Sequence, residues 1–281
     1  MRPQARALAR LRAGSTERVG TPNHARAGRP ETEQIPHLDW LTRQNDEVTS
    51  AVTQARALSP ANGWGLETGS AGSQLRLLVL ATGTDEWAAV DMGSGAFVRA
   101  RWPEAETLGL SAFDIVSAGR AADDGRWDDP VRPEAVVLDR PPTRVGSFGG
   151  RRARRYLRDL VLPDKAKRPL LGFRGPAAPY WTMTGTQPSM ALIRPEAGPQ
   201  VLLRQGDEAV MARFSWGGTV HLLEVEDARL VAAPATTGRS SLGGESLEAA
   251  VGFRTQYLVI AIGGPRTGHC YKAVIGALPQ P

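Results

Sequence analysis

The segment VMARFSWGGTVHLLEV, residues 210–225, determines the fold class that the sequence predicts. Apolar and polar side chains alternate from Val210 to Trp216, which is the period of two of a strand with one buried face. Gly217 and Gly218 follow, and two glycines readily adopt the positive φ angles of a two-residue hairpin turn. We therefore predict a β-hairpin with these facing pairs: Trp216 with Thr219, Phe214 with His221, Ala212 with Leu223, and Val210 with Val225.

Short segments of the same kind continue along most of the chain. The 31 glycines and 21 prolines among 281 residues favour many short elements over long helices. No apolar run is long enough to cross a bilayer as a helix, so we expect no membrane span. We predict strands over 75–82, 87–92, 96–102, 113–118, 135–139, 170–173, 181–184, 190–194, 201–205, 230–232, 257–262 and 271–275. We predict helices over 40–58, 151–161 and 245–251.

Several short motifs occur twice and in the same order, which indicates a tandem duplication. They are TGT at 82–84 and 184–186, SFGG at 147–150 with SLGG at 241–244, and GP just after a predicted strand at 175–176 and 264–265. The predicted fold is mainly β: two similar small barrel- or sandwich-like units in tandem, preceded by one helix and a disordered N-terminal tail. The predicted divisions are a basic tail over 1–36, a helix and linker over 37–73, a first unit over 74–176 and a second over 177–281.

The net charge of +5 comes from the beginning of the chain. Residues 1–30 contain seven arginines and one glutamate, whereas the remainder contains 27 basic and 28 acidic residues. The tail has four interpretations: a disordered arm, an anion-binding arm, an untranslated upstream extension and an organelle presequence. The single cysteine, Cys270, excludes an internal disulfide and favours a cytoplasmic location.

The predicted helix over 151–161 has two opposite sides. Ala153, Leu157 and Leu160 follow one another at i, i+4 and i+7, so they form an apolar stripe suited to burial. Four arginines at i, i+3, i+4 and i+7 line the exposed side: Arg151, Arg154, Arg155 and Arg158. Lys167 and Arg168 follow the helix and extend this basic patch. We predict that these six residues bind an anionic partner.

The charges on this helix oppose its dipole, since cations stand in its first turn. The corresponding helix over 245–251 has Glu245 and Glu248 there instead. Arginines at i, i+4 spacing also repel one another, and an anionic partner would offset both costs. The alternative is a solvated face that is neutralised by neighbouring acids.

Three functions are compatible with the sequence. The first is a non-catalytic binding or assembly module that contacts an acidic protein surface or nucleic acid through the arginines. The second is a nucleic-acid-binding protein that uses the same face together with the basic tail. The third is an enzyme, a hydrolase of unidentified type. We predict no cofactor, metal site or catalytic set: His269 and Cys270 point to opposite faces of a strand, and the four histidines are scattered. The sequence predicts no oligomeric state.

Overall fold

The computed structural model describes residues 74–83, 86–102, 108–121, 129–164, 169–204, 206 and 209–281. Over these ranges the protein is mainly β, as the sequence predicts, with two sheets and three α-helices. The predicted basic tail over 1–36 and the predicted helix over 40–58 lie outside the described residues. The division at residue 176 between two units stays a prediction.

The first sheet contains six strands and is followed by the first helix. Their bounds are β1 (Gln74–Thr82), β2 (Glu86–Asp91), β3 (Phe97–Arg101), β4 (Asp114–Gly119), β5 (Ala135–Val137), β6 (Thr143–Ser147) and α1 (Gly150–Leu160). The strand order is β5-β3-β2-β1-β4-β6, so β6 lies at one edge of the sheet. β4 and β6 pair antiparallel, with a bulge at Val145.

The second sheet contains the remaining eight strands. Their bounds, with those of the two other helices, are β7 (Ala177–Pro179), β8 (Met190–Ile193), β9 (Gln200–Leu203), β10 (Val210–Trp216), β11 (Thr219–Val225), α2 (Ala228–Thr237), β12 (Ser241–Leu242), α3 (Glu245–Val251), β13 (Tyr257–Ile262) and β14 (His269–Leu278). The order is β12-β9-β10-β11-β14-β13-β8, and β7 also pairs with β14. β8 is therefore the edge strand on this side.

The two sheets pack against each other through one apolar layer, which we call the seam. Leu78 and Ile115 of the first sheet contribute to the seam, as do Leu192 and Val259 of the second. Leu157 of α1 belongs to the same cluster, so the helix helps to close the space between the sheets. A second apolar cluster packs the opposite side of the second sheet with α2 and α3, and a third fills the opposite side of the first sheet.

The hairpin that determines the fold class is confirmed. β10 and β11 pair Trp216 with Thr219 and Phe214 with His221, and Ala212 lies opposite Leu223. Gly217 and Gly218 have φ angles of 60° and 71°, which side chains larger than hydrogen disfavour.

The prediction of barrel-like units is wrong, because neither sheet closes into a barrel over the described residues. The first sheet curls until Arg120 bridges to Leu138, but β6 remains at its edge. The second sheet ends at β12 and β8.

Three short predicted strands are also wrong. Residues 170–173 and 181–184 contain 3-10 turns, the first with Leu171 and Gly172 at positive φ and the second directly after Pro179. Residues 230–232 lie inside α2, because the buried Asp227 carboxylate accepts hydrogen bonds from the Arg229 and Leu230 backbone N–H groups and starts a helix. An apolar triplet alone does not distinguish a strand from a helical turn.

The sheets approach each other closely where β1 contacts β14. A Cβ atom added to Gly276 would lie 2.5 Å from the Cβ of Ala81 and 3.3 Å from Cγ2 of Val259. Only glycine therefore permits this spacing between the sheets.

We expect Gly276→Ala to lower the free energy of unfolding by about 1–3 kcal/mol, because overpacking separates the sheets. Chemical denaturation of the variant measures this change. The double variant Gly276→Ala with Ala81→Gly removes the closest contact and should recover much of the loss. A double variant as unstable as the single one would show that this contact does not set the sheet spacing.

Candidate anion-binding face

The helix α1 forms without the side chains that usually begin a helix. Gly149 stands at its N-cap with an extended backbone, and no side chain caps the free N–H groups. Its first turn contains no acidic residue, and Arg158 is the only basic residue of the last turn, where a cation matches the dipole. Tertiary packing therefore has to stabilise α1.

That packing comes from one side of the helix. Ala153 and Leu157 are both 0% exposed, and Leu157 packs into the seam between the sheets. Leu160 and Tyr156 are partly buried against the same cluster. The apolar stripe that the sequence predicts is thus the buried side of α1. Its burial fixes which side of the helix faces the solvent.

The opposite side presents arginines to solvent. The four arginines that the sequence places on the exposed side of this helix are indeed exposed. Arg152, which was not predicted, is exposed as well. The five exposed arginines are Arg151, Arg152, Arg154, Arg155 and Arg158. Arg152 was missed because it lies about 100° around the helix from Arg151, at the margin of the stripe. We call Arg151, Arg154, Arg155 and Arg158 the arginine stripe. Lys167 and Arg168 lie outside the described residues.

Among the described residues, few groups contact the guanidinium groups of the arginine stripe. Arg154 donates a hydrogen bond of 2.8 Å from Nε to the carbonyl oxygen of Pro281. Nε of Arg158 is 3.7 Å from Oδ1 of the exposed Asp159. Within the described residues, Arg151 and Arg155 have neither an ion pair nor a hydrogen bond from their side chains. Most of the guanidinium donors are therefore available to an anion from outside.

The helix α3 has the opposite electrostatics. Glu245 and Glu248 stand in its first turn, where carboxylates stabilise a helix, and Leu247 is its buried residue. An SxGG motif leads into both helices, with its third residue, Gly149, at the N-cap of α1 and its fourth residue, Gly244, at the N-cap of α3. Each helix buries a leucine, although in different apolar clusters, and the exposed sides carry opposite charges.

The edge strand β6 precedes α1 directly. All five of its residues are exposed, and Val145 is 53% exposed. Arg144 on this strand pairs with Asp114 at 2.9 Å, so its charge is compensated. The sequence does not predict β6, because TRVGS has a single large apolar residue and no apolar alternation.

A buried charge network that the sequence did not predict connects the two sheets. Arg99 of β3 is only 7% exposed and donates from NH2 to Ser189 Oγ and to the Ile262 carbonyl oxygen, both at 3.2 Å. Its Nε donates to Glu134 at 3.1 Å. A buried guanidinium with this many partners is a structural tie between the sheets.

A cleft of about 390 Å³ lies next to this network. Arg99, Arg101 and Arg132 line it, and all three form ion pairs with Glu86. Glu226 lines the same cleft, and burial, with a smaller contribution from Glu224, raises the pKa of its carboxyl group. Because the cations here are paired with carboxylates, they are less available to an external anion than the guanidinium groups of Arg151 and Arg155.

Lys272 is a second buried cation, with a side chain only 1% exposed. Its Nζ donates to the Phe173 and Gly175 carbonyl oxygens at 2.6 and 2.9 Å, and lies 3.9 Å from the centre of the Phe173 ring. Burial lowers the pKa of this ammonium group to about 8. Burial also lowers the pKa of His221, with a further contribution from the charge of Lys272.

His269 and Cys270 do not face each other. Cys270 is fully buried while His269 is partly exposed, so the two side chains point to opposite faces as the strand period predicts. Burial raises the pKa of the Cys270 thiol. Among the described residues, no group of three or more His, Cys, Asp or Glu side chains is placed to hold a metal ion. No helix in these ranges is both long and apolar enough to span a membrane.

No known protein-family model matches the chain, and a search of curated proteins finds no significant match.

We expect the buried ammonium of Lys272 to make stability rise with pH. Between pH 8 and about pH 10 the native state releases a proton that the unfolded state, with a lysine pKa near 10.4, retains. Relative to Lys272→Met, the free energy of unfolding of the native sequence should therefore increase by roughly 1–2 kcal/mol from pH 8 to pH 9.5.

Urea denaturation of both proteins at each pH measures this difference. The methionine variant serves as the reference because it keeps every other titrating group. If the free energies of unfolding of the two proteins change in parallel with pH over this interval, the lowered pKa of Lys272 is contradicted.

Proposed function

We propose that this protein is a non-catalytic binding or assembly module that contacts an anionic partner through the arginine stripe of α1. The observation that carries the proposal is the opposition of the two sides of this helix. Leu157 is completely buried in the seam, whereas Arg151, Arg154 and Arg155 are exposed on the other side. The guanidinium groups are thus held on a rigid element that can bind a partner without first being ordered.

The energetics of the helix support an external anion. Arg151 with Arg155 and Arg154 with Arg158 are like-charge pairs at i, i+4, each costing a few tenths of a kcal/mol. The cations of the first turn add an unfavourable interaction with the helix dipole. Asp159 is the only acidic residue of α1. A carboxylate or phosphate that bridges two guanidinium groups would remove both costs.

An acidic protein surface fits better than nucleic acid. Residues 31–281 contain 27 basic and 28 acidic residues, so acids outnumber bases on the part of this region outside α1. A long polyanion that passes beyond the arginine stripe would meet this acidic surface and be repelled. A compact acidic patch of a protein would contact the arginines alone.

We also propose that the two β-rich units, 74–176 and 177–281, are related by duplication. In each unit a three-stranded meander ends in a strand that pairs in parallel with a later strand: β3 with β5, and β11 with β14. An SxGG motif precedes a helix with a buried leucine in both. In this interpretation the first helix gained an interaction surface after the duplication, since its arginines stand where the other helix has glutamates.

We expect neutralising the arginine stripe to weaken anion binding. The variant replaces Arg151, Arg154, Arg155 and Arg158 by Gln, and fluorescence anisotropy measures binding of an oligoglutamate peptide and of a DNA duplex to the full chain. The affinity for the peptide should fall about tenfold or more, as expected when several charge-assisted hydrogen bonds are lost. Binding by the native sequence should weaken as salt screens the charges.

A matched control replaces four exposed arginines outside α1 by Gln: Arg174, Arg194, Arg213 and Arg239. It removes the same net charge from positions outside the arginine stripe. If binding depends on the stripe and not on net charge, the affinity of this control for the peptide should stay within about twofold of the native value. An equal loss of peptide affinity in the arginine-stripe variant and in this control would contradict the proposal. Tight binding of DNA that depends on the stripe, without binding of the peptide, would support the nucleic-acid alternative instead.

A further inference from the structure

We infer that the anionic partner contains an extended acidic segment that adds as a strand to the free edge of β6, beside the arginine stripe. This inference rests on the proposed function and names the kind of partner that the site would bind. It arises from two neighbouring surfaces, the edge of a sheet and a basic helix face, which the chain connects through only two residues.

The edge strand β6 has one unused side. It pairs with β4, and no other described strand pairs with it. Every residue from Thr143 to Ser147 is exposed, so neither face of the strand is covered by a described element. Such an edge presents backbone N–H and C=O groups that can pair with an extended chain.

The edge of the second sheet at β8 is covered, in contrast to β6. There Val161 forms a parallel bridge with Leu192 of β8, and the Leu162 N–H group donates to the Leu192 carbonyl oxygen at 2.7 Å. The chain that leaves α1 therefore pairs with the edge next to it. The edge before α1, formed by β6, has no such pairing within the described residues.

The arginine stripe begins close to one end of this edge. Phe148 and Gly149 alone separate β6 from α1, and the Phe148 N–H group donates to the Phe113 carbonyl oxygen at 2.8 Å. The sheet thus holds the start of the helix, and Arg151 follows one residue later. A segment that pairs along β6 would reach the arginines at the Ser147 end, so its acidic residues should lie at one end.

The two surfaces would contribute differently to recognition. Strand addition supplies backbone hydrogen bonds that depend little on sequence, and Val145 offers an apolar contact at its centre. The arginines add charge selectivity and a faster encounter with an acidic chain. A nucleic acid has no backbone that can pair with a strand, so β6 would contribute nothing to its binding.

Two synthetic peptides test the inference on the full chain. The first has a run of glutamates followed by alternating threonine and valine, and the second has the same sequence with alternate backbone nitrogens methylated. Methylation keeps the charges and side chains but removes N–H donors and blocks pairing. We expect the methylated peptide to bind about tenfold or more weakly, as measured by isothermal titration calorimetry.

Protein variants provide the complementary measurement. Val145→Pro blocks the middle of the edge, whereas Val145→Thr keeps its strand propensity and serves as the control. Binding of the unmethylated peptide to the proline variant should fall to the level of the methylated peptide, and the threonine variant should bind like the native sequence. The peptide pair still decides the outcome if the proline variant does not fold.

The outcomes separate this inference from the proposed function. Equal affinities of the two peptides, with loss of binding in the arginine-stripe variant, would overturn strand addition and leave the anion-binding function standing. A difference between the peptides, with no loss of affinity when the stripe is neutralised, would overturn the anion-binding function and leave strand addition standing. Weaker binding of the methylated peptide, together with a loss of affinity in the arginine-stripe variant, would support both strand addition and the anion-binding function.

Discussion

The burial of Leu157 between the two sheets is the constraint on which the functional account depends. This side chain is 0% exposed and packs with Leu78 and Ile115 on one sheet and Leu192 on the other. Truncating a leucine in such a position typically costs 2–5 kcal/mol, which is a large part of the stability of a domain. Because α1 is held in this way, the arginine stripe cannot rotate inward, and its unfavourable electrostatics are offset by packing. The exposed side of the helix is therefore not needed for folding, and in the proposed function it binds the partner.

Much of the fold could be predicted from local periodicity. The alternation around Phe214 and the Gly217-Gly218 turn predict the pairing of β10 and β11, since both signals lie within sixteen residues. The helical spacing of Ala153 and Leu157 likewise predicts which side of α1 is buried, and therefore that the arginines are exposed. The local prediction failed where three apolar residues had no period, as at 230–232.

The rest depends on contacts between distant parts of the chain. Arg99 is buried because its partners Ser189 and the Ile262 carbonyl lie 90 and 163 residues further along, and nothing near Arg99 in the sequence signals them. Lys272 is similar, since the carbonyl groups that bind it belong to a turn nearly a hundred residues earlier. An open sheet edge such as β6 is also a property of the assembled sheet order. The sequence therefore predicts the exposed arginines of α1 but not the edge strand β6, which precedes the helix.

Backbone hydrogen exchange of the full chain, with and without a saturating acidic peptide, tests the central claim most directly. Amide exchange reports where a ligand stabilises the backbone, without any substitution in the protein. Binding at the arginine stripe predicts slower exchange over 143–160, with little change over the cleft residues Glu86 and Arg132. Protection at the cleft, with exchange over α1 unchanged, would contradict the assignment of α1 as the binding surface.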